Sequence, residues 1–508
     1  MAARSTIARL INAAQHTACP CHGGAHHHGM HHPGVLNQLR RFASPVDAVK
    51  KEYAFEVAAS NLRFGDGVTQ EVGMDLANMK ARKVGVLTDE NVAKLGPMKA
   101  TLDSLESQSL EFEVLTLPAG EPTEQSWADA ISWSRGHDFS HFLAVGGGSV
   151  IDTAKAANLF GVYKDADLFD FVNAPIGKGL PITQTLRPLI AVPTTAGTGS
   201  ETTGTAILDI PSRSFKTGIA NRAMKPVLGI VDTQNTATCP TAVHISAGLD
   251  VLFHSLESYT AIPYTERTPR PANPILRPAY QGSNPVADVF SLWALQTTVT
   301  YLPRVAKDRE DEEARRQMLL AASFAGIGFG NAGVHLCHGV DVLSGTGNYL
   351  KHVHSIHLRV QISGLNKKGP GYKHPGYLNN DKPIIPHGVS VAITGPAVFQ
   401  FTAPSAPDRH RQALAIFQGK TTSDPSISRI PDREIGAHLY DAIAQFLDGL
   451  GVPRGLKALG YTAADIDMLV DGTLPQRRVL DLAPGIGDIV GEDGRMHIAK
   501  MLQNSLEY

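Results

Sequence analysis

The sequence predicts an α/β fold in two parts, an N-terminal doubly wound domain and an all-α C-terminal domain. Its 508 residues exceed what one ordinary hydrophobic core accommodates. From about residue 53, short apolar runs alternate with helical patterns, which is typical of a parallel sheet flanked by helices. Beyond Asp232, long helical patterns replace the strand-like runs. We therefore expect the first domain at 47–234 and the second at 235–508.

The expected strands of the first domain are short apolar runs bounded by turn residues, at 83–88, 112–117, 141–145, 189–192, 205–209 and 227–232. The helices expected between them are 91–107, 123–135 and 150–159. The helices expected in the second domain are 243–260, 286–301, 310–329, 335–344, 436–450 and 463–471. Two stretches rich in proline, 263–285 and 351–386, predict long loops, which are usually functional or disordered.

The first 46 residues have the composition of a mitochondrial transit peptide. They contain Arg4, Arg9, Arg40 and Arg41, whereas the first acidic residue is Asp47. We expect this segment to be a transit peptide or disordered, with cleavage near residues 40–44 and a mature protein in the matrix. The segment also holds seven histidines, which offer metal ligands, but a Gly/His/Pro tract without hydrophobic periodicity is typical of disorder.

Composition restricts the possible partners. The net charge is −2 and no block of like charge occurs, which argues against nucleic acid or a membrane surface. Four cysteines in this length make no disulfide framework and indicate a reducing compartment. The uncharged run at 318–334, rich in Gly and Ala, is shorter than the roughly 20 apolar residues that cross a bilayer, so it predicts a buried helix. We expect small-molecule substrates and a homo-oligomer.

Two loops of small residues predict a site for a dinucleotide. Gly146, Gly147, Gly148 and Ser149 lie between a strand and a helix, where unpaired backbone N–H groups favour a pyrophosphate. A tight turn that needs glycine for backbone reasons is the alternative. The second loop, 194–200, begins with Thr194 and Thr195, follows another strand and should meet the first loop at the carboxyl edge of the sheet.

Asp89 follows the first predicted strand, where its carboxylate could accept from ribose hydroxyls and repel a 2′-phosphate. This interpretation favours NAD over NADP, although a helix cap before Asn91 explains Asp89 nearly as well. Gly328, Gly330 and Gly333 match the spacing of a nucleotide-binding fingerprint, but a helical pattern precedes them instead of a strand. We expect these glycines to let helices approach closely.

Asp250 and His254 predict a metal site. In a helix they stand at i and i+4 on one face, where a carboxylate and an imidazole can hold one divalent ion. An ordinary helical pair in a polar patch is the alternative. Glu257 lies one turn beyond His254 and is expected either to orient the ring of His254 or to form a surface ion pair.

Four colinear motifs resemble the iron-containing (group III) alcohol dehydrogenases over about residues 50–508. The motifs are Gly146-Gly-Gly-Ser-Val-Ile-Asp152-Thr-Ala-Lys155, Pro193-Thr-Thr-Ala-Gly-Thr-Gly-Ser-Glu201, Gly248-Leu-Asp-Val-Leu-Phe-His-Ser-Leu-Glu257 and Pro386-His387-Gly388. The runs 277–285 and 325–339 are most similar to a mitochondrial subgroup that passes hydride from a hydroxyacid to an oxoacid. The resemblance implies a dehydroquinate-synthase-like fold with the metal and nicotinamide between the two domains.

The resemblance also implies the site residues. The metal, Fe(II) with Zn(II) as the other choice, would be held by Asp250, His254, His338 and His387. Bound NAD(H) would contact Asp89, Gly146, Gly147, Gly148, Ser149, Asp152, Thr194, Thr195 and Lys216. His387 competes with His352, His354, His357 and His374 of the same loop and is preferred for its Pro-His-Gly context. Val342 stands where the family usually has another histidine, which leaves a histidine proton relay in doubt.

The implied reaction converts 4-hydroxybutyrate and 2-oxoglutarate to succinate semialdehyde and 2-hydroxyglutarate through NADH that stays bound. Because each of these compounds is a carboxylate, a cation should line the pocket, and Arg267, Arg270 and Arg277 are the candidates. Three alternatives remain: an NAD-dependent alcohol dehydrogenase that releases its cofactor each cycle, a dehydroquinate-synthase-like lyase, and a non-catalytic metal-binding protein that uses the N-terminal histidines.

Overall fold

A computed structural model describes residues 50–210, 215–341, 364–365, 372–376, 384–488 and 491–508. Contacts group residues 47–508 into one compact unit. Strands occupy its first half and helices dominate its second half, in the order that the sequence predicts. None of the described helices is long and apolar enough to cross a membrane.

A parallel six-stranded sheet forms the centre of the first half, in the order β1-β8-β5-β4-β2-β3. Its strands are β1 (Asn61–Gly65), β2 (Lys83–Asp89), β3 (Glu111–Leu117), β4 (His141–Gly146), β5 (Leu189–Pro193) and β8 (Leu228–Asp232). The antiparallel hairpin of β6 (Thr205–Ile210) and β7 (Phe215–Ala220) lies outside this sheet. Strands β4, β5 and β8 are buried throughout, as expected for strands covered on both faces.

The helices of the first half connect the parallel strands. They are α1 (Val72–Asn78), α2 (Gly96–Ser107), α3 (Glu124–Gly136), α4 (Gly148–Val162) and α5 (Leu168–Phe171). After β2 the chain adds β3 on one side and then crosses to add β4 on the other side. The carboxyl ends of β2 and β4 therefore flank a topological switch point, which is where open α/β sheets bind ligands.

Helices make up most of the second half. They are α6 (Thr241–Thr260), α7 (Pro285–Lys307), α8 (Glu312–Ala332), α9 (Leu336–Asp341), α10 (His387–Ile393), α11 (Gly395–Thr402), α12 (Pro407–Phe417), α13 (Pro425–Ser428), α14 (Asp432–Gly449), α15 (Gly455–Ala458), α16 (Ile466–Thr473), α17 (Arg477–Leu480) and α18 (Glu492–Asn504). Leu249, Leu252, Phe253 and Leu256 on α6 are fully buried in the main hydrophobic core of this half. Strands β9 (Gly364–Leu365) and β10 (Ile384–Ile385) add a short antiparallel ladder.

Glycines of α8 allow close approach, which the sequence predicts for Gly328 and which Gly326 also shows. Gly326 lies against the loop after β5, where an added Cβ would be 2.6 Å from the carbonyl oxygen of Gly199. An added Cβ on Gly328 would overlap the hydroxyl of Ser291 on α7. Gly328 and Gly330 lie inside α8 and Gly333 ends it, so no strand precedes the three glycines and the nucleotide interpretation of their spacing is excluded.

The predicted strands and helices are present, with small shifts at their ends. The structure also contains strands and helices that the sequence does not predict. The edge strand β1 and the strand β7 carry polar or glycine residues that weaken the apolar signal. Helices α10 and α11 are buried on almost every side, so they show no polar face by which a helical period can be read. The helix expected at 335–344 is described to Asp341, and its remainder lies outside the described residues.

Gly326→Ala should lower the free energy of unfolding by about 1–3 kcal/mol, because its methyl group would be forced into backbone atoms of Gly199. Gly449→Ala is the matched control, since an added Cβ there meets nothing within 4 Å. It should be neutral or stabilise by up to about 1 kcal/mol. Denaturant unfolding of both variants measures the difference, and equal stabilities would contradict the proposed packing role of Gly326.

Candidate metal and nucleotide sites

Helix α6 positions two of the expected metal ligands in the core. Asp250 and His254 lie one turn apart on this helix, and both are buried. Helix α10 packs so closely on α6 that a Cβ on Gly388 would overlap the carbonyl oxygen of Ser246. The Pro-His-Gly sequence thus has a physical reason, because the glycine brings His387 to the face of α6 that carries Asp250.

Three imidazoles converge on one carboxylate oxygen. The Nε2 atoms of His338, His387 and His254 lie 3.3, 3.5 and 3.6 Å from Oδ1 of Asp250. Ligand atoms of Asp250, His254 and His338 all lie within 4.8 Å of one another. His387 is the most exposed of the four, at 26% for its side chain. The structure therefore brings together all four residues that the family motif implies.

The electrostatics of this cluster suit a divalent cation. Burial lowers the pKa of His254 to about 3, so its ring is neutral and offers a lone pair. Burial alone would raise the pKa of Asp250, but the facing imidazoles hold it below its usual range. One carboxylate and three imidazoles form an N/O donor set that Fe(II) and Zn(II) accept. These four residues could hold such an ion, and its binding would release the proton of His338.

Glu257 orients His338, and the expected contact with His254 is wrong. Oε2 of Glu257 forms a short hydrogen bond with Nδ1 of His338, and Oε1 accepts from the backbone N–H of Cys337 at 2.5 Å. Burial would lower the pKa of His338, but Glu257 and Asp250 together raise it to about 10. Glu257 is fully buried, so the alternative of a surface ion pair is also wrong. Its side chain lies against α9 because it is one turn farther along α6 than His254.

Aromatic rings cover the cluster. The ring of Phe329 stacks on His254 with 3.8 Å between ring centroids, and His338 stacks on the other side at 4.5 Å. Nothing in the sequence marks Phe329 apart from its place four residues before the glycine that ends α8.

Cys337 is fully buried and outside the ligand group found among the described residues, as expected for a neighbour of His338 on a helix. His352, His354, His357 and Val342 lie outside the described residues, and His374 contacts the carbonyl of Pro375 at 3.0 Å.

The two small-residue loops meet at the switch point, as the sequence predicts. Strand β2 pairs with β4 up to Leu87 and Ala144, and both strands end two residues later, at Asp89 and Gly146. The backbone N–H of Thr194 donates to the carbonyl of Gly146 at 3.1 Å, and a Cβ on Gly148 would overlap Thr198. The N-cap residue of α4 is Gly147, which has no side chain to accept from the first N–H groups of this 15-residue helix. This N-terminus could hold a pyrophosphate.

The second loop also reaches the metal cluster. Gly197 packs on α6 one turn before Asp250, and an added Cβ there would lie 2.8 Å from Cβ of Ala247. The loop that approaches the nucleotide site therefore touches the helix that carries the ligands. This contact joins the element of one candidate site to the element of the other.

The other expected cofactor residues have partners within the protein. Oδ1 of Asp89 accepts from the N–H groups of Asn91 and Val92 at 2.9 and 3.1 Å, which is the cap that the sequence offers as an alternative role. Asp152 accepts from Ser200 Oγ at 2.5 Å and from the N–H of Ile207 at 2.9 Å. The ammonium of Lys216, on β7, lies 3.1 Å from Glu121. Contact of these three residues with NAD(H) stays a prediction.

Lys155 is a buried cation that sequence reasoning does not single out, although it lies in the glycine motif. Its Nζ donates to Ser200 Oγ at 2.6 Å and to the carbonyl of Thr205 at 2.7 Å. Burial lowers its pKa, against the attraction of Asp152. The ammonium ties α4 to the loop after β5, so it holds the two nucleotide loops together.

The three candidate substrate arginines anchor the chain that follows the N-terminal segment. Nε of Arg277 donates to Oε2 of Glu52 at 3.1 Å, and the guanidinium of Arg270 lies 4.9 Å from the ring centroid of Tyr53. The carbonyl of Arg267 accepts from the N–H of Glu52 at 2.9 Å. We name residues 50–58 the N-terminal arm. Substrate binding by these arginines stays a prediction.

Two family models match the chain. One, described as iron-containing alcohol dehydrogenase, matches residues 59–233, and the other, described as the C-terminal part of the Fe-containing alcohol dehydrogenase family, matches residues 279–356. Two solved structures have the same fold. An iron-containing alcohol dehydrogenase from Thermococcus thioreducens has a TM-score of 0.66 at 23% identity, covering 89% of this chain and 100% of that one. An alcohol dehydrogenase from an archaeal halo-thermophile of a Red Sea brine pool has a TM-score of 0.70 at 22% identity, with 90% and 100% covered.

Curated relatives are much more similar in sequence. A protein named mitochondrial hydroxyacid-oxoacid transhydrogenase from Mus musculus is 48% identical, and 95% of each chain is covered. The Homo sapiens protein of that name is 46% identical with the same coverage. A probable transhydrogenase from Dictyostelium discoideum is 47% identical over 85% of this chain and 76% of its own length. Their names agree with the mitochondrial location predicted from the N-terminal segment.

The fold and the site define a class of two-part oxidoreductases, in which a parallel-sheet nucleotide domain faces a helical domain that carries a carboxylate–imidazole cluster. The match in sequence extends over nearly the whole chain. The chain belongs to the iron-containing alcohol dehydrogenase family, in the branch of the hydroxyacid-oxoacid transhydrogenases. The family resemblance and the fold class predicted from the sequence are confirmed.

Glu257→Gln should weaken metal binding by about 10- to 100-fold, as loss of a hydrogen-bond partner of a ligand usually does. The amide would present a donor to Nδ1 of His338, so the proton would move to Nε2, the atom that faces Asp250. Glu313→Gln, an exposed carboxylate on α8, is the control. Titration with Fe(II) or Zn(II) measures the affinity, and His254→Ala gives the reference for full loss. Wild-type affinity in Glu257→Gln would refute the role of Glu257.

Asp89→Asn should raise the affinity for NADPH relative to NADH, on the order of tenfold, because it removes a negative charge near a 2′-phosphate. Asparagine can still accept from the N–H groups of Asn91 and Val92, so the cap is kept. Asp89→Ala removes both the negative charge and the acceptor for the N–H groups of Asn91 and Val92, so it should also lower the free energy of unfolding. Fluorescence titration with each nucleotide measures the preference. Equal binding of NADH and NADPH by the parent protein would contradict the selecting role.

Proposed function

We propose that the chain is a metal-dependent hydroxyacid-oxoacid transhydrogenase of the mitochondrial matrix, acting on 4-hydroxybutyrate and 2-oxoglutarate. The observation that carries the proposal is the convergence of three imidazole Nε2 atoms on Oδ1 of Asp250, next to a loop that reaches the nucleotide site. The names of relatives about 47% identical support the reaction type. The expected homo-oligomer stays a prediction.

The protein's contribution is positioning. Asp250, His254, His338 and His387 would hold Fe(II), with Zn(II) as the other choice, and the ion would supply a Lewis acid that polarises the substrate oxygen. Glu257 holds the proton on Nδ1 of His338, which leaves Nε2 free to face the ion. Phe329 stacks on His254 and covers one face of its ring.

The nucleotide loops orient the second reactant. The amides at the start of α4 and the hydroxyls of Thr194 and Thr195 would bind the pyrophosphate of NAD(H), whose nicotinamide would accept and return hydride. Lys155 fixes the spacing of these loops through Ser200 and Thr205. The contact of Gly197 with Ala247 then sets the distance from the nucleotide loop to the ligand helix.

Purified enzyme with its metal should form 2-hydroxyglutarate for many turnovers from 4-hydroxybutyrate and 2-oxoglutarate without added nucleotide. A transhydrogenase restores its own cofactor when it reduces the second substrate, so free NAD is unnecessary. Double-reciprocal plots should be parallel, because the first product leaves before the second substrate enters. His254→Ala is the inactive control. Product that stops at about one equivalent per site and resumes only with added NAD would instead indicate an alcohol dehydrogenase that releases its cofactor.

A further inference from the structure

Another buried histidine stands beside the metal cluster, three residues before His338. His335 is fully buried and directly precedes α9, the helix that carries His338. Its carbonyl accepts from the N–H of Gly339 at 2.8 Å, so it is the N-cap residue of that helix. It also lies in the run 325–339, by which the sequence resembles the transhydrogenase subgroup. Its ring is therefore placed where it can influence the direction of α9.

Both ring nitrogens of His335 have partners that fix its tautomer. Nδ1 accepts from the backbone N–H of Leu336 at 2.8 Å, so this nitrogen carries no proton. Nε2 lies 2.9 Å from the hydroxyl of Thr260, the last residue of α6. That hydroxyl donates its own hydrogen to the carbonyl of Leu256 at 2.7 Å, so Nε2 is the donor. The ring is therefore neutral, and burial favours this state by lowering its pKa to about 4.

The first N–H groups of α9 are shared between His335 and Glu257. The ring accepts from Leu336, and Oε1 of Glu257 accepts from Cys337 at 2.5 Å. The same oxygen lies 3.4 Å from the backbone nitrogen of His338. Nδ1 of His335 and Oε1 of Glu257 lie side by side, 3.3 Å apart, because they accept from neighbouring N–H groups. A helix of six residues has few internal hydrogen bonds, so these two side chains set its direction.

Glu257 and Thr260 hold α9 from two points in the last turn of α6. Oε2 of Glu257 is hydrogen-bonded to Nδ1 of His338, and Nε2 of His338 lies 3.3 Å from Oδ1 of Asp250. A rotation of α9 would move the imidazole of His338 away from both carboxylates. The hydrogen bond from His335 to Thr260 opposes this rotation.

We propose that His335, anchored by Thr260, is a positioning residue of the metal site. It holds the first turn of α9 so that His338 faces Glu257 with Nδ1 and Asp250 with Nε2. The inference rests on the metal-dependent function proposed above and adds a residue that orients one of the four ligands through its helix. His335 itself takes no part in the reaction.

His410 and Thr402 form a matched control pair. His410 is fully buried, its Nε2 lies 2.8 Å from the hydroxyl of Thr402, and its ring packs on Phe399, as the ring of His335 does. Nδ1 of His410 lies 2.8 Å from the carbonyl of Ala406, so both nitrogens have their partners within 402–406. Loss of this pair should lower the free energy of unfolding and leave the affinity for metal unchanged.

Titration of the metal-free protein with Zn(II) measures the positioning role without turnover. In Thr260→Val, which nearly keeps the volume but removes the acceptor for Nε2, the Kd should rise by about 3- to 10-fold. His335→Phe removes both hydrogen bonds and keeps a ring, so the Kd should rise by about 10- to 100-fold. His335→Asn keeps an acceptor near the N–H of Leu336 and should recover part of the affinity. Thr402→Val should stay within about twofold of the parent.

A double variant tests whether His335 and Glu257 act on the same turn of α9. In Glu257→Gln combined with Thr260→Val, the loss of binding free energy should be smaller than the sum of the two single losses. Denaturant unfolding of the metal-free proteins supplies the stability control, because Thr260→Val and Thr402→Val should be destabilised to a similar degree. If His335→Phe does not fold, Thr260→Val and His335→Asn decide the question by the same titration.

Two results would overturn the assignment. Parent-like Zn(II) affinity in both Thr260→Val and His335→Phe would show that α9 keeps its direction without His335. Equal losses of affinity in Thr260→Val and Thr402→Val would show that the effect comes only from reduced stability. Failure of the proposed function is a separate outcome. If the parent enzyme needs added NAD for turnover while Zn(II) affinity still depends on Thr260, the transhydrogenase proposal fails and the positioning role stands.

Discussion

The structure depends on the burial of one carboxylate. Asp250 lies in the core of the helical half, where an isolated negative charge would be very costly unless it is compensated. Three imidazoles face its Oδ1 atom, His254 on α6, His338 on α9 and His387 on α10. The ring of His338, whose pKa is raised to about 10, carries the compensating positive charge. Helices α9 and α10 must therefore both approach the face of α6 that carries Asp250, and Gly388 allows the close contact of α10.

A second buried group, Lys155, plays the corresponding part in the sheet half. Its Nζ donates to Ser200 in the loop after β5. The residue after Ser200, Glu201, accepts a hydrogen bond from the hydroxyl of Ser323 on α8 at 2.6 Å. A chain of hydrogen bonds therefore connects the helix after the glycine loop, the loop at the sheet edge and α8. Because a buried polar network holds only when all its members are satisfied, the spacing between the nucleotide loops and the ligand helix is fixed by many hydrogen bonds at once.

Much of this arrangement could be predicted from the sequence, because it is local. Asp250 and His254 share a turn, and the glycine loops follow strands that have clear apolar runs. Contacts between residues far apart in sequence could not be predicted this way. Glu257 is one turn from His254, yet it bonds to His338, because the direction of its side chain is set by how α9 packs on α6. Arg277 of the proline-rich loop has the charge expected of a substrate ligand, but its partner, Glu52, lies 225 residues away in the arm.

The N-terminal arm has a consequence for biogenesis. Glu52 is 4% exposed and neutralises Arg277, whose guanidinium is nearly as deeply buried, and Gln281 and Asn331 bind the arm backbone farther along. A protease that trimmed the leader about ten residues beyond the expected site would remove Glu52 and leave the guanidinium of Arg277 with only the more distant carboxylate of Glu56, at 3.8 Å. Accurate maturation in the organelle therefore preserves the buried ion pair that anchors the arm.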